Sequence, residues 1–110
     1  MRKLRFDDTF LLSQVIEDLD IQVDLNEFLD KARKDKKDAQ YVGGQFFLLL
    51  ARKWHKGKKS IPEFVSAISE KSIDEVNAMS MKEVKEVFVE IFKQDGIQDF
   101  FKSASEEQTL

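Results

Sequence analysis

Apolar residues recur along the chain at intervals of three and four positions, which is the spacing of one face of an α-helix. In the clearest segment lysine and glutamate fill the positions between Val84, Val87, Phe88 and Ile91. No β-branched segment alternates apolar and polar residues, and no Asn-Gly or Asp-Gly hairpin lies between alternating runs. The pattern therefore predicts an all-α fold, a compact single-domain bundle.

Five to seven helices joined by short loops are predicted from this spacing. The first is expected near residues 7 to 19. The longest is expected near residues 39 to 56, where apolar residues occupy more than one face, as in a central buried helix. Asp38 is expected to cap the long helix, and Asp24 to open a short helix in a capping box with Glu27.

Three serines each precede a glutamate by three positions, the spacing of a capping box, and each pair predicts the start of a helix. The pairs are Ser60 with Glu63, Ser72 with Glu75, and Ser80 with Glu83. Gly96 is expected in a turn, after which Ile97, Phe100 and Phe101 predict a last short helix.

Two adjacent glycines, Gly43 and Gly44, lie inside the apolar run of the longest predicted helix. Each costs about 1 kcal/mol relative to alanine in a helix interior, so a structural gain must offset them. We expect either a crossing helix that approaches the backbone closely or a kink. A phosphate loop is excluded because the pattern G-x-x-x-x-G-K-[ST] does not occur.

The length of 110 residues is typical of one domain with one hydrophobic core. Residues 1–103 are expected to form the helical domain, and residues 104–110 a flexible polar tail. Cysteine does not occur, which excludes disulfides and fits an intracellular protein. No apolar run approaches the about 20 residues of a membrane span, so we expect neither a signal peptide nor an anchor.

No arrangement of residues predicts catalysis, a metal or a cofactor. The only histidine, His55, lies among lysines and arginines, so neither a Ser-His-Asp triad nor a metal site can be assembled around it. Asp18, Asp20 and Asp24 alternate like calcium-loop ligands, but apolar residues occupy the glycine and glutamate positions of that loop. Composition leaves a paired-carboxylate hydrolase open, although most acids have capping or exposed positions. We expect a protein that is not an enzyme.

The net charge of −3 conceals a polarised distribution. Residues 1–30 carry −5, residues 31–59 carry +8 and residues 60–110 carry −6. The candidate electrostatic patch consists of Arg33, Lys34, Lys36, Lys37, Arg52, Lys53, Lys56, Lys58 and Lys59. Such a patch could hold a phosphate backbone, but the negative total charge and the lack of a recognition motif argue against nucleic acid.

Aromatic and aliphatic residues exceed what one helical stripe needs, especially near the C-terminal end. Most should be core residues, but some are expected to stay exposed and to mark a protein-binding surface. The candidate partner-binding residues are Trp54, Phe88, Phe92, Phe100 and Phe101. We expect the exposed part of the region from Val84 to Phe101 to form an apolar groove and the basic region 31–59 to steer an acidic partner or a second copy.

The order of several segments resembles the tail assembly chaperones of long-tailed (siphovirus-type) bacteriophages that infect Gram-positive bacteria. The segments are Leu4-Arg5-Phe6-Asp7-Asp8, Tyr41-Val42-Gly43-Gly44-Gln45 running into Phe46-Phe47-Leu48-Leu49-Leu50, Met79-Ser80-Met81-Lys82-Glu83-Val84-Lys85-Glu86, and Phe100-Phe101-Lys102. The resemblance spans residues 1 to about 103, and its motifs are structural.

The resemblance implies an all-helical protein that binds the tape measure protein and keeps it soluble until tail tube assembly. Such a protein acts in the cytoplasm of the infected or lysogenic bacterium and is absent from the mature virion. Members of the group are often made also in a longer, frameshifted form, which recruits the tail tube protein. Three hypotheses stay open at this point: an assembly chaperone, a nucleic-acid-binding helical module, and a structural virion or self-associating scaffold component.

Overall fold

Six α-helices and one 3₁₀ turn account for most of the residues that the computed structural model describes, which are 2–35, 37–97 and 100–101. The helices are α1 (Phe6–Leu19), α2 (Gln22–Asp35), α3 (Ala39–Ala51), α4 (Ser60–Ser69), α5 (Ile73–Asn77) and α6 (Met81–Phe92), and the 3₁₀ turn is Trp54–Gly57. No strand occurs in these residues, so the predicted all-α fold is confirmed. Lys36 and the predicted tail, residues 104–110, lie outside them.

Three of the predicted helix caps are confirmed by hydrogen bonds. Asp38 Oδ1 accepts from the backbone N–H of Tyr41 at 2.9 Å. Ser72 Oγ accepts from Glu75 N at 3.1 Å, and Glu75 Oε1 accepts from Ser72 N at 3.1 Å. Ser80 and Glu83 make the same reciprocal pair, at 3.2 and 3.3 Å. Each pair satisfies two N–H groups that a helix start would otherwise leave unbonded.

Two other predicted caps are wrong. Asp24 lies in the first turn of α2, which begins two residues earlier at Gln22 and is longer than expected. Ser60 is the first residue of α4, and Lys59 occupies the N-cap position without a side-chain bond. Lys59 already has helical torsions, φ −98° and ψ −47°, because the 3₁₀ turn runs almost directly into α4. An N-cap needs extended torsions, so the serine cannot act as one here.

The longest predicted helix ends at Ala51 and not at residue 56. The chain turns at Arg52 and Lys53, where Lys53 N donates to Leu50 O at 3.1 Å, and continues as the 3₁₀ turn. Gly57 lies close to both neighbouring helices, because a Cβ there would lie 2.6 Å from the Cδ1 atoms of both Leu19 and Ile61. The turn therefore approaches α1 and α4 closely, and a larger residue at position 57 would require the side chains of Leu19 and Ile61 to shift.

The helices α3 and α6 pack against each other along the centre of the domain. A Cβ at Gly43 would lie 2.5 Å from Val89 Cα, so the two helix backbones are in contact. At Gly44 a Cβ would meet only the flexible side chain of Lys85, 3.3 Å from Cε. Close helix packing at the glycine pair is confirmed, and Gly43 is the residue that permits it.

The chain after α6 turns back toward the core at Gly96, whose φ of +76° confirms the predicted turn. Phe100 N donates to Gly96 O at 3.1 Å, and residues 97, 100 and 101 have helical backbone. Phe101 is completely buried. The end of the described chain thus completes the core.

Candidate protein-binding groove

The C-terminal aromatic residues form part of the core. Phe88 and Phe101 are 0% exposed, so the prediction that they line an exposed groove is wrong. Both pack edge to face against Phe46 of α3, with ring centroids 5.5 and 5.2 Å apart. Phe92, partly buried, stacks on Phe101 at 5.1 Å, and Phe100 is also packed against the core. Phe88, Phe92 and Phe101, which were expected at a partner-binding surface, thus pack around the ring of Phe46.

An open apolar groove lies instead between the 3₁₀ turn, α4, α5 and the start of α6. Its volume is about 330 Å³. The lining residues are Trp54, His55, Gly57, Lys58, Ile61, Pro62, Val65, Val76, Asn77, Met79, Met81 and Val84. Of the predicted partner-binding residues only Trp54 is among them. We call this the α4–α6 groove.

The walls of the α4–α6 groove combine fixed and adaptable side chains. Ile61 and Val65 are buried at 5% and 1% exposure and belong to the core. The indole of Trp54 packs edge to face on Phe47, with ring centroids 5.6 Å apart, so its position is fixed. Met81 is 57% exposed at the first position of α6. Methionine side chains adjust to apolar surfaces of different shape, which suits a binding site for varied partners.

The charged side chains at the rim of the α4–α6 groove are basic. Lys58 carries this charge, His55 also lines the groove, and in the described part of the chain no aspartate or glutamate does. At the starts of α5 and α6, Glu75 and Glu83 accept hydrogen bonds from the N–H groups of Ser72 and Ser80. The hydrogen bonds from Ser72 hold the pKa of Glu75 below its ordinary value. The rim therefore presents positive charge next to an apolar surface.

A shallow depression extends the groove along the outer side of α4. It shares Lys58, Pro62 and Asn77 with the groove and adds Lys59, Glu63 and Ile73. Ile73 is 41% exposed. The depression continues the combination of an apolar floor and a mainly basic edge.

The remaining residues of the predicted basic patch lie elsewhere. Arg33, Lys34 and Lys37 are exposed near the end of α2 and before α3, whereas residues 52–59 follow the end of α3. Since α3 has 13 residues, about 20 Å of helix separates the two groups. Arg52 shares a separate depression with the acids Asp24 and Glu27. The two basic stretches are therefore not one continuous phosphate-binding track.

Lys53 also has a structural contact: its Nζ donates to Asp20 O at 3.1 Å and ties the turn after α3 to the end of α1. Lys56 is exposed in the 3₁₀ turn. In the described residues Lys56, Lys58 and Lys59 form no ion pair. Of these three members of the predicted patch, Lys58 and Lys59 line the groove or its extension, and Lys56 lies before them in the 3₁₀ turn.

The described residues contain no group of three or more His, Cys, Asp or Glu that could hold a metal ion. Asp18 accepts a hydrogen bond from Gln14 Nε2 at 2.8 Å, and His55 is exposed. Crossing a bilayer would require a longer and more apolar helix than any in the described part of the chain.

Sequence reasoning missed the methionines, although a signal for Met81 was present. Met81 precedes Val84 by three positions and so continues the apolar stripe of α6 by one turn toward the N-terminus. A stripe that extends past the core leaves its end exposed. Met79, in the connection before Ser80, is partly buried beside it.

Comparisons with protein-family models, curated proteins and solved structures found no match.

Proposed function

We propose that the protein is a phage tail assembly chaperone that binds helical segments of the tape measure protein and keeps them soluble until the tail tube assembles around them. The observation on which this rests is the α4–α6 groove, an open apolar surface with Trp54, Met79 and Met81 in its walls. The resemblance to tail assembly chaperones supplies the identity of the partner.

The groove suits transient binding of an apolar helix face. Its volume of about 330 Å³ is at the small end of the range of about 300–1,000 Å³ for specific ligand sites. It can thus take a few apolar side chains from one helix, as other helix-in-groove sites do. Burying such side chains removes the surface through which tape measure segments would aggregate. A small contact also permits release when tube subunits polymerise.

The same proposal places the protein in the cytoplasm of the bacterial host and outside the finished virion. A longer frameshifted form would bring the tail tube protein to the complex. The short form would then act through the α4–α6 groove alone.

Co-expression with a tape measure protein fragment tests the proposal. Met81→Glu introduces a charge into the groove, yet a carboxylate at the first position of α6 is favourable for the helix. Leu48→Glu is the matched control, because Leu48 is 54% exposed, close to the 57% of Met81, and lies outside the groove on α3. We expect wild type and Leu48→Glu to keep the fragment soluble and Met81→Glu to lose most of it. Equal recovery with all three proteins contradicts the groove assignment.

A nucleic-acid-binding module is the second candidate, and the exposed Lys56, Lys58 and Lys59 beside Trp54 favour it. Salt-sensitive retention on DNA, lost when these lysines are replaced by glutamine, would support it over the chaperone. Detection of the chain in mature particles would instead support a structural virion component.

A further inference from the structure

We propose that the α4–α6 groove selects an amphipathic helix whose apolar face is bordered by carboxylates, and that Lys58 and Lys59 recognise those carboxylates. This inference rests on the proposed function and specifies which segments of a partner the groove binds. The inference rests on two features that lie side by side: an apolar floor that includes Trp54, and a rim with basic side chains along one edge.

The one-sided charge is a property of the rim itself. Among the described residues, Lys58, Lys59 and His55 line the groove and its extension with one carboxylate, that of Glu63 in the extension. Lys58 and Lys59 are exposed and, within the described residues, form no ion pair, so their charges are not already neutralised. A partner with acids at this edge gains attraction, whereas a partner with lysines there meets like charge.

The apolar floor favours a helix over an extended segment. An extended peptide needs hydrogen-bond partners for its own backbone, whereas a helix satisfies these groups internally and presents only side chains. The polar side chains in the lining are few: His55, Lys58 and Asn77. Since the lining is otherwise apolar, a helix with residues such as leucine spaced at i, i+3, i+4 and i+7 matches it.

The wall at the start of α6 explains why a bound helix would have a preferred orientation. It is formed by Met79, Met81 and Val84, which offer apolar contact and no charge. Within the described residues that line the groove and its extension, the lysines are Lys58 and Lys59, just before the start of α4. A bound helix therefore has one acceptable rotation about its axis, with its acidic border over Lys58 and Lys59.

Binding of designed peptides to the full chain tests this inference directly. Three helical peptides of about 18 residues, each about 27 Å long as a helix, would share one leucine face and differ only in glutamate, glutamine or lysine along its border. Trp54 is the only tryptophan and lines the groove, so its fluorescence reports occupation. We expect a blue shift of emission with the glutamate peptide, weaker binding of the glutamine peptide and roughly tenfold weaker binding of the lysine peptide.

A charge reversal supplies the decisive comparison. The double substitution Lys58→Glu, Lys59→Glu should weaken binding of the glutamate peptide about tenfold and strengthen binding of the lysine peptide. The double substitution Arg33→Glu, Lys34→Glu makes the same change in net charge on exposed residues outside the groove. It should leave the order of affinities of the three peptides unchanged. Circular dichroism of both variants verifies the fold. If the reversed variant keeps the wild-type preference, or if the three peptides bind wild type equally, charge recognition at this rim is wrong.

The result is separable from the proposed function. If wild type retains a tape measure fragment and the Lys58→Glu, Lys59→Glu variant retains it equally, charge selection is overturned and the chaperone proposal stands. If the glutamate peptide binds as expected but no tape measure fragment is retained, the groove chemistry stands and the proposed partner is wrong.

Discussion

Arg2 holds Asp8 through two charge-assisted hydrogen bonds, from Nη1 to Oδ2 and from Nη2 to Oδ1, both 2.7 Å long. Asp8 is 1% exposed and also accepts from the backbone N–H of Arg5 at 2.8 Å, which caps α1. Arg2 in turn donates to the last turn of α4, from Nε to Ala67 O at 3.0 Å and from its backbone N to Ile68 O at 3.2 Å. Arg2 therefore joins α1, through its ion pair with Asp8, to the last turn of α4, through its hydrogen bonds with Ala67 and Ile68.

Removing the charge of Asp8 should destabilise the protein strongly. Asp8→Asn leaves the mostly buried guanidinium of Arg2 without its counter-charge, and we expect a loss of about 2–3 kcal/mol in the free energy of unfolding. Urea denaturation measures it. Glu90→Gln is the control, because it breaks the exposed pair in which Lys93 Nζ lies 3.0 Å from Glu90 Oε1; it should cost less than about 1 kcal/mol. Equal losses in the two variants would contradict a structural role for the Arg2–Asp8 pair.

Stability should fall in acid because of the same carboxylate. Burial raises the pKa of Asp8, but the hydrogen bonds from Arg2 and Arg5 and their charges outweigh burial and leave that pKa below its ordinary value. Since the folded pKa lies below the unfolded one, the stabilisation is complete above the unfolded value of about 4 and is lost as the pH falls through the folded value. Chemical denaturation between pH 7 and pH 2 should show a smaller acid-dependent loss for Asp8→Asn than for wild type. Some loss remains, because the pKa of Glu75 is also lowered.

Alanine substitutions at the two adjacent glycines should change the stability of the protein in opposite directions. Gly43→Ala forces its Cβ against the backbone of Val89 and should cost about 1–3 kcal/mol, since neither helix can move without disturbing the core. Gly44→Ala meets only the end of Lys85 and should stabilise the protein by about 0.5–1 kcal/mol through helix propensity. Thermal unfolding of the two variants measures the difference. Similar effects of the two substitutions would contradict the close approach of α3 and α6 at Gly43.

The sequence predicted several features that depend on neighbouring residues, although the same Ser-x-x-Glu spacing at Ser60 did not give a cap. The capping boxes at Ser72 and Ser80 and the cap at Asp38 each involve groups within three residues, so their spacing was sufficient to predict them. The all-α fold followed from helical periodicity in the same way.

Features that depend on distant parts of the chain could not be predicted. Whether Phe88 and Phe101 are exposed or buried depends on Phe46, which lies more than 40 positions away. The α4–α6 groove combines the 3₁₀ turn with three helices, and no local pattern reveals that they leave a gap. Burial and shape are properties of the packed helices, and one sequence does not display them.

Two serines with the same local sequence pattern should respond differently to the same substitution. Ser80→Ala removes the acceptor for Glu83 N at the start of α6 and should cost about 1 kcal/mol. Ser60 Oγ is buried and has no hydrogen-bond partner among the described residues, so Ser60→Ala removes an unsatisfied polar group and should be neutral or stabilising by up to about 1 kcal/mol. Urea denaturation of the two variants under the same conditions measures both effects. A cost at Ser60 equal to that at Ser80 would mean that Ser60 does cap α4 in solution and that the direct connection from the 3₁₀ turn into α4 is wrong.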